Sequence, residues 1–337
     1  MLPLVLNFFL LSGLIVAAGI LLTRFADRLA DLTSIGHSLA GLLLLAAATS
    51  LPELSIGWAA VRIDAVDLTI GELLGSCLWN LLLLAILDLG VRSRGQMLSR
   101  QSAVHALAAT VSILLVAIAA AGFVLPFDTV LFRMSPVSWG IIGAYILCIR
   151  LIYQDHRTVK SPEPPSPEPP STDEGPGTDR AQVLWAVGGY LLSAGIIFVV
   201  APKLAVVADE LADVTGIGDT FIGASLVALM TSLPEAVTTL AAIRLGQMNM
   251  AVANIFGSNA FNLVILGVVD FATPYSLYAI ASNVHLVTAI AVIIVTAVAL
   301  LGLLYRAEKK YWLIEPDAWL VIVLVLGALG LVYRVTT

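Results

Sequence analysis

Charge is scarce in this chain. Only 12% of its 337 residues are Asp, Glu, Lys or Arg, whereas 59% are hydrophobic. Soluble domains carry about 25% charged residues, so a water-soluble globular class is excluded. The mean hydropathy of +0.99 points the same way. Cysteine is almost missing. Cys77 and Cys148 both fall in apolar runs, which excludes a disulfide framework or zinc spacing and leaves buried thiols. No H-E-x-x-H or G-x-S-x-G string occurs, so those hydrolase classes are excluded. There is no basic stripe or aromatic-rich basic loop, so nucleic acid is not an expected partner. The net charge of −6 is modest, and much of it lies in one acidic segment.

What is present is a series of long apolar runs. A membrane-spanning helix needs about 20 such residues. Ten candidates lie near residues 3–22, 36–61, 68–90, 102–122, 136–153, 182–201, 219–243, 249–271, 283–304 and 316–334. Residues 1–22 lack a positive start, and the first basic residue, Arg24, follows the apolar run. That order suits a first transmembrane helix rather than a cleaved signal. Residues 154–181 are rich in Pro, Ser and acidic side chains and read as a disordered linker between two membrane halves, 1–153 and 182–337.

The Lys and Arg residues set the orientation. With loops numbered alternately from an outside N-terminus, one side collects Arg24, Arg28, Arg92, Arg94, Arg100, Arg150, Arg157, Lys160, Arg180, Arg244, Arg306, Lys309 and Lys310. The other holds only Arg62, Arg133, Lys203 and Arg334. Because Lys and Arg concentrate on the cytoplasmic side, both termini are expected outside and the linker inside, in a plasma membrane.

The halves resemble each other. TSLPE occurs at residues 49–53 and again at 231–235, an offset of 235 − 53 = 182. The same offset maps Gly75-Ser76 onto Gly257-Ser258, Asn80 onto Asn262 and Asp88 onto Asp270. Roughly a third of positions match over residues 31–88, the mark of an internal repeat. Five helices separate equivalent points, and five is odd, so the second half enters the membrane from the opposite side. The expected fold is an all-α polytopic membrane protein with ten transmembrane helices in two inverted five-helix repeats, helices 2 and 7 being broken. Such repeats place a substrate site at their interface near the bilayer midplane.

Glu53 and Glu235 lie deep in apolar spans. A carboxylate there costs roughly 2.5 kcal/mol or more, which marks a functional site. Pro52 and Pro234 each stand one residue before them and break the helix by removing a donor. The breaks are expected to free carbonyls near Thr49, Ser50, Thr231 and Ser232. Carboxylates, hydroxyls and carbonyls together make an oxygen-only site, which suits a hard cation such as Ca2+ and argues against zinc or copper. Glu72, Ser76 and Asn80 share one helix face at i, i+4, i+8, and Asn254, Ser258 and Asn262 share another. Both faces are expected to look toward the broken helices. Glu72 is a third intramembrane carboxylate, read as a cation ligand, a proton carrier or a vestibule residue. Asp88 and Asp270 are expected at solvated membrane edges, and His37, His105 and His285 in structural roles.

These motifs, TSLPE followed by GSCLWN in one half and TSLPE followed by NIFGSNAFN in the other, resemble the two alpha-repeats of the sodium/calcium exchanger family, within the cation/Ca2+ antiporter superfamily. The resemblance implies a secondary antiporter that moves Ca2+ against Na+ or H+ and needs no cofactor. It implies Glu53 and Glu235 as central ligands, with Thr49, Ser50, Thr231 and Ser232 adding oxygens and Ser76, Asn80, Ser258 and Asn262 completing the site. It further implies that helices 3–22 and 182–201 slide against the remaining core, and that a monomer suffices. Three positions depart from the family pattern: Glu72 and Cys77 stand where Asn is usual, and Asn80 and Asn262 are both Asn where many relatives carry one Asp.

Two rival classes differ in kind. Gly216-Ile217-Gly218-Asp219 matches a G-x-G-D string of intramembrane aspartyl proteases, but that chemistry needs a second aspartate close by, and no neighbouring span supplies one. A passive channel is disfavoured by two helices broken at matching positions.

Overall fold

The computed structural model describes residues 2–33, 35–90, 103–125, 129–159, 180–215, 231–305 and 316–336. Among these residues every extended element is a helix, and the only β pairing is an isolated bridge between Leu131 and Met134. In chain order they are α1 (Leu2–Thr33), α2 (His37–Thr49), α3 (Leu51–Val61), α4 (Val66–Gly90), α5 (Ala103–Val124), α6 (Pro136–Val159) and α7 (Arg180–Thr215), then α8 (Leu233–Arg244), α9 (Met248–Asp270), α10 (Leu277–Ile280), α11 (Val284–Tyr305) and α12 (Pro316–Thr336). Seven are long and apolar enough to cross a membrane, and the bent pair α2–α3 makes an eighth. The other two expected spans correspond to α12, whose apolar stretch is the shorter Ala318–Val332, and to α8, before which residues 216–230 lie outside the described residues.

Three boundaries differ from expectation. α1 continues past Leu22 to Thr33 and α7 continues through Pro202 to Thr215. The apolar face of α1 explains its length: Ile15, Ala18, Leu22, Ala26 and Ala30 are all buried at helical spacing, and that stripe runs beyond the charged Arg24. In the linker, helix α6 takes in residues 154–159 and α7 begins at Arg180; residues 160–179 lie outside the described ones.

The molecule has two packing units. α1 lies along α7 in the most extensive helix pair of the described residues. Phe25 meets Trp185 edge to face at 4.9 Å, and Arg28 donates to Gln182 Oε1 at 3.3 Å. Around them Ile15, Leu22, Leu45, Ile197 and Leu204 form one apolar cluster. A second and larger cluster joins α4, α5, α9, α11 and α12. At its centre runs α9, in which every residue from Met250 to Ala260 is buried. A helix enclosed on all sides carries polar groups only where neighbours or a ligand use them, which makes Asn254, Ser258, Asn259 and Asn262 informative.

α2 presses on α9 at close range, and glycine permits it. A Cβ on Gly257 would stand 2.6 Å from the Leu42 carbonyl oxygen, and one on Gly41 would collide with the carbonyl of Met250. Small residues let helix backbones approach this closely in membranes. α2 also widens into a π-helical stretch at Ala40–Leu45, one turn before the break. Insertions of this kind recur at functional sites.

Candidate functional site

Both breaks have one backbone conformation. Ser50 separates α2 from α3 with φ −88° and ψ 3°, and Ser232 precedes α8 with φ −85° and ψ 7°. Each is followed by Leu-Pro-Glu, so proline occupies the second helical position, where its missing N–H costs least. The chain turns by 41° between α2 and α3. One expectation needs correction. The carbonyls of Ser50 and Ser232 are not freed by the breaks, for they accept from the N–H groups of Leu54 and Ala236, each at 3.2 Å. Side chains beside both breaks carry oxygens without a partner.

Glu53 and Glu235 are each 1% exposed. The charge of Glu235 is felt at Glu53, and the Thr49 hydroxyl donates to the Leu45 carbonyl at 3.0 Å. Thr49 Oγ1 lies 3.4 Å from Ser258 Oγ, so the first break of the chain meets the middle of α9. Thr49, Ser50, Thr231, Ser232, Ser76, Asn80, Ser258 and Asn262 are all buried. Glu72 is half-buried, one turn from Ser76, and its charge is felt at Glu53.

The state of the oxygens is the decisive feature. Among the described residues, Ser50 Oγ, Glu53 Oε2, Ser76 Oγ, Asn80 Oδ1, Ser232 Oγ, Glu235 Oε2, Asn254 Oδ1 and Asn262 Oδ1 are buried without a hydrogen-bond partner. Unpaired buried polar atoms are rare and costly, at about 1–3 kcal/mol each. Eight of the fifteen such atoms among the described residues belong to the repeated motifs and the helix faces that follow them. The amide N–H2 groups, by contrast, are used. Asn80 Nδ2 donates to Asn259 Oδ1 at 3.0 Å, Asn254 Nδ2 donates to Thr238 and Thr239 Oγ1 at 3.0 Å, and Asn262 Nδ2 faces Cys77 Sγ at 4.0 Å. Anchoring the nitrogen leaves the oxygen over, so the set consists of acceptors. No ion pair among the described residues neutralises Glu53 or Glu235. Nor do three His, Cys, Asp or Glu side chains gather as a metal cluster among them. The donor set is two carboxylates with hydroxyl and amide oxygens, the chemistry that suits a hard cation.

Some buried polar groups escape sequence reading. Asn259 organises Asn80 and Cys77, yet only its place opposite Cys77 in the repeat would have marked it. Asp270, expected at a solvated edge, is fully buried. It accepts from Ser135 N at 2.5 Å, Ser138 Oγ at 2.7 Å and Leu277 N at 2.8 Å, tying α9 to the start of α6 and to α10. The G-x-G-D string at residues 216–219 lies outside the described residues.

Comparison with known proteins gives the family and the fold. A family model described as Sodium/calcium exchanger protein matches residues 3–154 and 185–316. The Inner membrane protein YrbG of Escherichia coli (strain K12) is 31% identical over 277 residues, covering 79% of this chain and 81% of that protein. The Sodium/calcium exchanger MaX1 of Methanosarcina acetivorans is 47% identical over a shorter stretch of 66 residues, 19% of each chain. A solved structure of the sodium-calcium exchanger NCX_Mj superimposes with a TM-score of 0.70 at 21% identity, covering 98% of this chain and 99% of that one. At that identity the likeness concerns the fold.

Proposed function

Since the chain is an integral membrane protein of the sodium/calcium exchanger protein family, we propose that it is a secondary antiporter exchanging Ca2+ for Na+ by alternating access. The cation sits between Glu53 and Glu235, with Thr49, Ser50, Thr231, Ser232, Ser76, Asn80, Ser258 and Asn262 offering further oxygens. The observation that carries this reading is that residues of both repeated motifs, Glu53 and Glu235 among them, carry buried oxygens without a partner. The ten-span, inverted-repeat topology belongs to the same reading, as do the outside termini, the cytoplasmic linker, the plasma membrane location and the sufficiency of a monomer. The matching backbone of the two breaks supports the repeat. Partners are the transported cations and the bilayer, and no resident cofactor takes part.

Exchange follows from competition. Ca2+ and the coupling ion use the same oxygens and displace each other. A loaded site is compensated and crosses between orientations, whereas a bare pair of carboxylates is not and stays. The moving unit is α1 with α7, which form the most extensive helix pair of the described residues and share an apolar cluster with residues of α2, α8 and α9.

A second reading, Ca2+/H+ exchange, draws on Glu72, a half-buried carboxylate whose charge reaches Glu53. One experiment separates the two. Radioactive Ca2+ uptake into proteoliposomes is measured under an outward Na+ gradient and, separately, an outward H+ gradient at fixed voltage. Uptake driven by Na+ alone, and lost in Glu53→Gln and in Glu235→Gln, supports the first reading. Uptake driven by H+ alone and lost in Glu72→Gln supports the second. Full transport in Glu53→Gln refutes the site.

A further inference from the structure

We propose that Cys77 and Asn259 are positioning residues that aim the carboxamides of Asn262 and Asn80 at the cation, and that the thiol leaves Asn262 the more loosely held of the two. This rests on the reading of the site above. The two residues occupy equivalent places in the repeat, 259 − 77 = 182, and both are fully buried. They touch across the centre of the molecule. Asn259 Nδ2 donates to the Cys77 carbonyl at 3.2 Å, and Cys77 Sγ approaches the Asn259 carbonyl at 3.8 Å.

Each also holds the ligand of the opposite half. A carboxamide has an accepting end and a donating end, and whichever end is anchored decides what the other presents. Asn259 Oδ1 takes the Asn80 N–H2 at 3.0 Å, which turns Asn80 Oδ1 away as an unpartnered acceptor. Cys77 Sγ takes the Asn262 N–H2 at 4.0 Å with the same result for Asn262 Oδ1. The pattern is crossed and reciprocal, but its two arms differ in strength. An amide oxygen at 3.0 Å is a full hydrogen-bond acceptor, while a thiol sulfur at 4.0 Å is a weak one. Asn259 keeps no unpartnered atom of its own, so it supports the site without belonging to its unused oxygens.

The test is a swap. Na+-driven Ca2+ uptake is measured in the full chain, and KM for Ca2+ is separated from the maximal rate. Cys77→Asn gives Asn262 an oxygen acceptor and is expected to lower KM about fivefold, the equivalent of one ordinary hydrogen bond. Asn259→Cys loosens Asn80 and is expected to raise KM about fivefold. The double swap, Cys77→Asn with Asn259→Cys, moves the loose arm from Asn262 to Asn80 and returns KM to near the parent value. A structural role alone would not move KM in opposite directions and then restore it. Should Cys77→Asn fail to fold, Cys77→Ser supplies an oxygen in a smaller volume and is expected to lower KM likewise. If KM stays within about twofold of the parent in every folded variant while Glu53→Gln abolishes uptake, the positioning role is wrong and the site stands. If Glu53→Gln transports at the parental rate, both the site and this inference fall.

Discussion

His285 Nε2 stands 2.9 Å from Asp67 Oδ1, a residue 218 positions earlier in the chain. The same oxygen accepts from the N–H of Ser282 at 2.8 Å. A counterpart exists in the other half, where His105 Nε2 lies 3.0 Å from Asn249 Oδ1. Asn249 is the repeat mate of Asp67, since 249 − 67 = 182. Each histidine sits at the start of its helix, α5 or α11, and fastens it to the start of α9 or α4. One clasp is therefore neutral and the other has a carboxylate. Asp67→Asn recreates the neutral arrangement and is expected to change stability by less than about 0.5 kcal/mol, whereas Asp67→Ala removes both bonds and costs about 1–2 kcal/mol. Thermal unfolding of the purified protein in detergent measures both.

Equivalent glycines make a sharper contrast. Gly75 and Gly257 are repeat mates, yet a Cβ on Gly75 meets nothing within 4 Å, while one on Gly257 meets Leu42 O at 2.6 Å and Ala46 Cβ at 2.8 Å. Gly257→Ala is expected to destabilise the protein by about 1–3 kcal/mol through overpacking. Gly75→Ala is expected to be neutral, or slightly stabilising because alanine favours helix. The two melting midpoints, compared side by side, decide it.

Thr49 contributes a buried hydroxyl beside Ser258. Thr49→Val keeps the shape and deletes that oxygen. The expected effect is about a tenfold rise in KM for Ca2+, equal to about 1.4 kcal/mol. Thr69 is equally buried but bonds the Gly57 carbonyl away from these oxygens. Thr69→Val is expected to leave KM unchanged.

If α1 and α7 move as one body, cross-links distinguish contacts inside that body from contacts across its border. Arg28 and Gln182 join α1 to α7, and Thr23 Oγ1 reaches the Thr238 carbonyl on α8 at 3.3 Å. A disulfide between Arg28→Cys and Gln182→Cys is expected to spare transport. One between Thr23→Cys and Thr238→Cys is expected to stop it, with recovery on reduction. Uptake before and after reductant measures both. A Cys148→Ala background removes the half-buried native thiol.

Much of the site can be read from the sequence, because two short motifs repeat with a proline and a carboxylate inside apolar runs. Those residues are constrained by chemistry that a membrane makes conspicuous. What escaped depends on tertiary contact. Nothing local marks α1 as continuing to Thr33, since Arg24 and Asp27 look like a helix end; the stripe Leu22, Ala26 and Ala30 against α7 carries it on. Asp270 resembles an interfacial carboxylate until Ser135, Ser138 and Leu277 close around it. The Ser50 and Ser232 carbonyls find partners four residues on, because the turn after each break is already helical.

The two amides and two carboxylates of the proposed site have an electrical consequence. Asn80 and Asn262 are both neutral, so the fixed charge among these ligands is that of Glu53 and Glu235 alone. One divalent ion or two monovalent ions balance it. An exchange in that ratio would carry the same net charge in both directions through the bilayer. Membrane potential does work only on charge that is displaced, about 2.3 kcal/mol per elementary charge per 100 mV. If one Ca2+ exchanges for two monovalent ions at this proposed site, the potential has nothing to act on, and uptake is expected to run on concentration gradients alone.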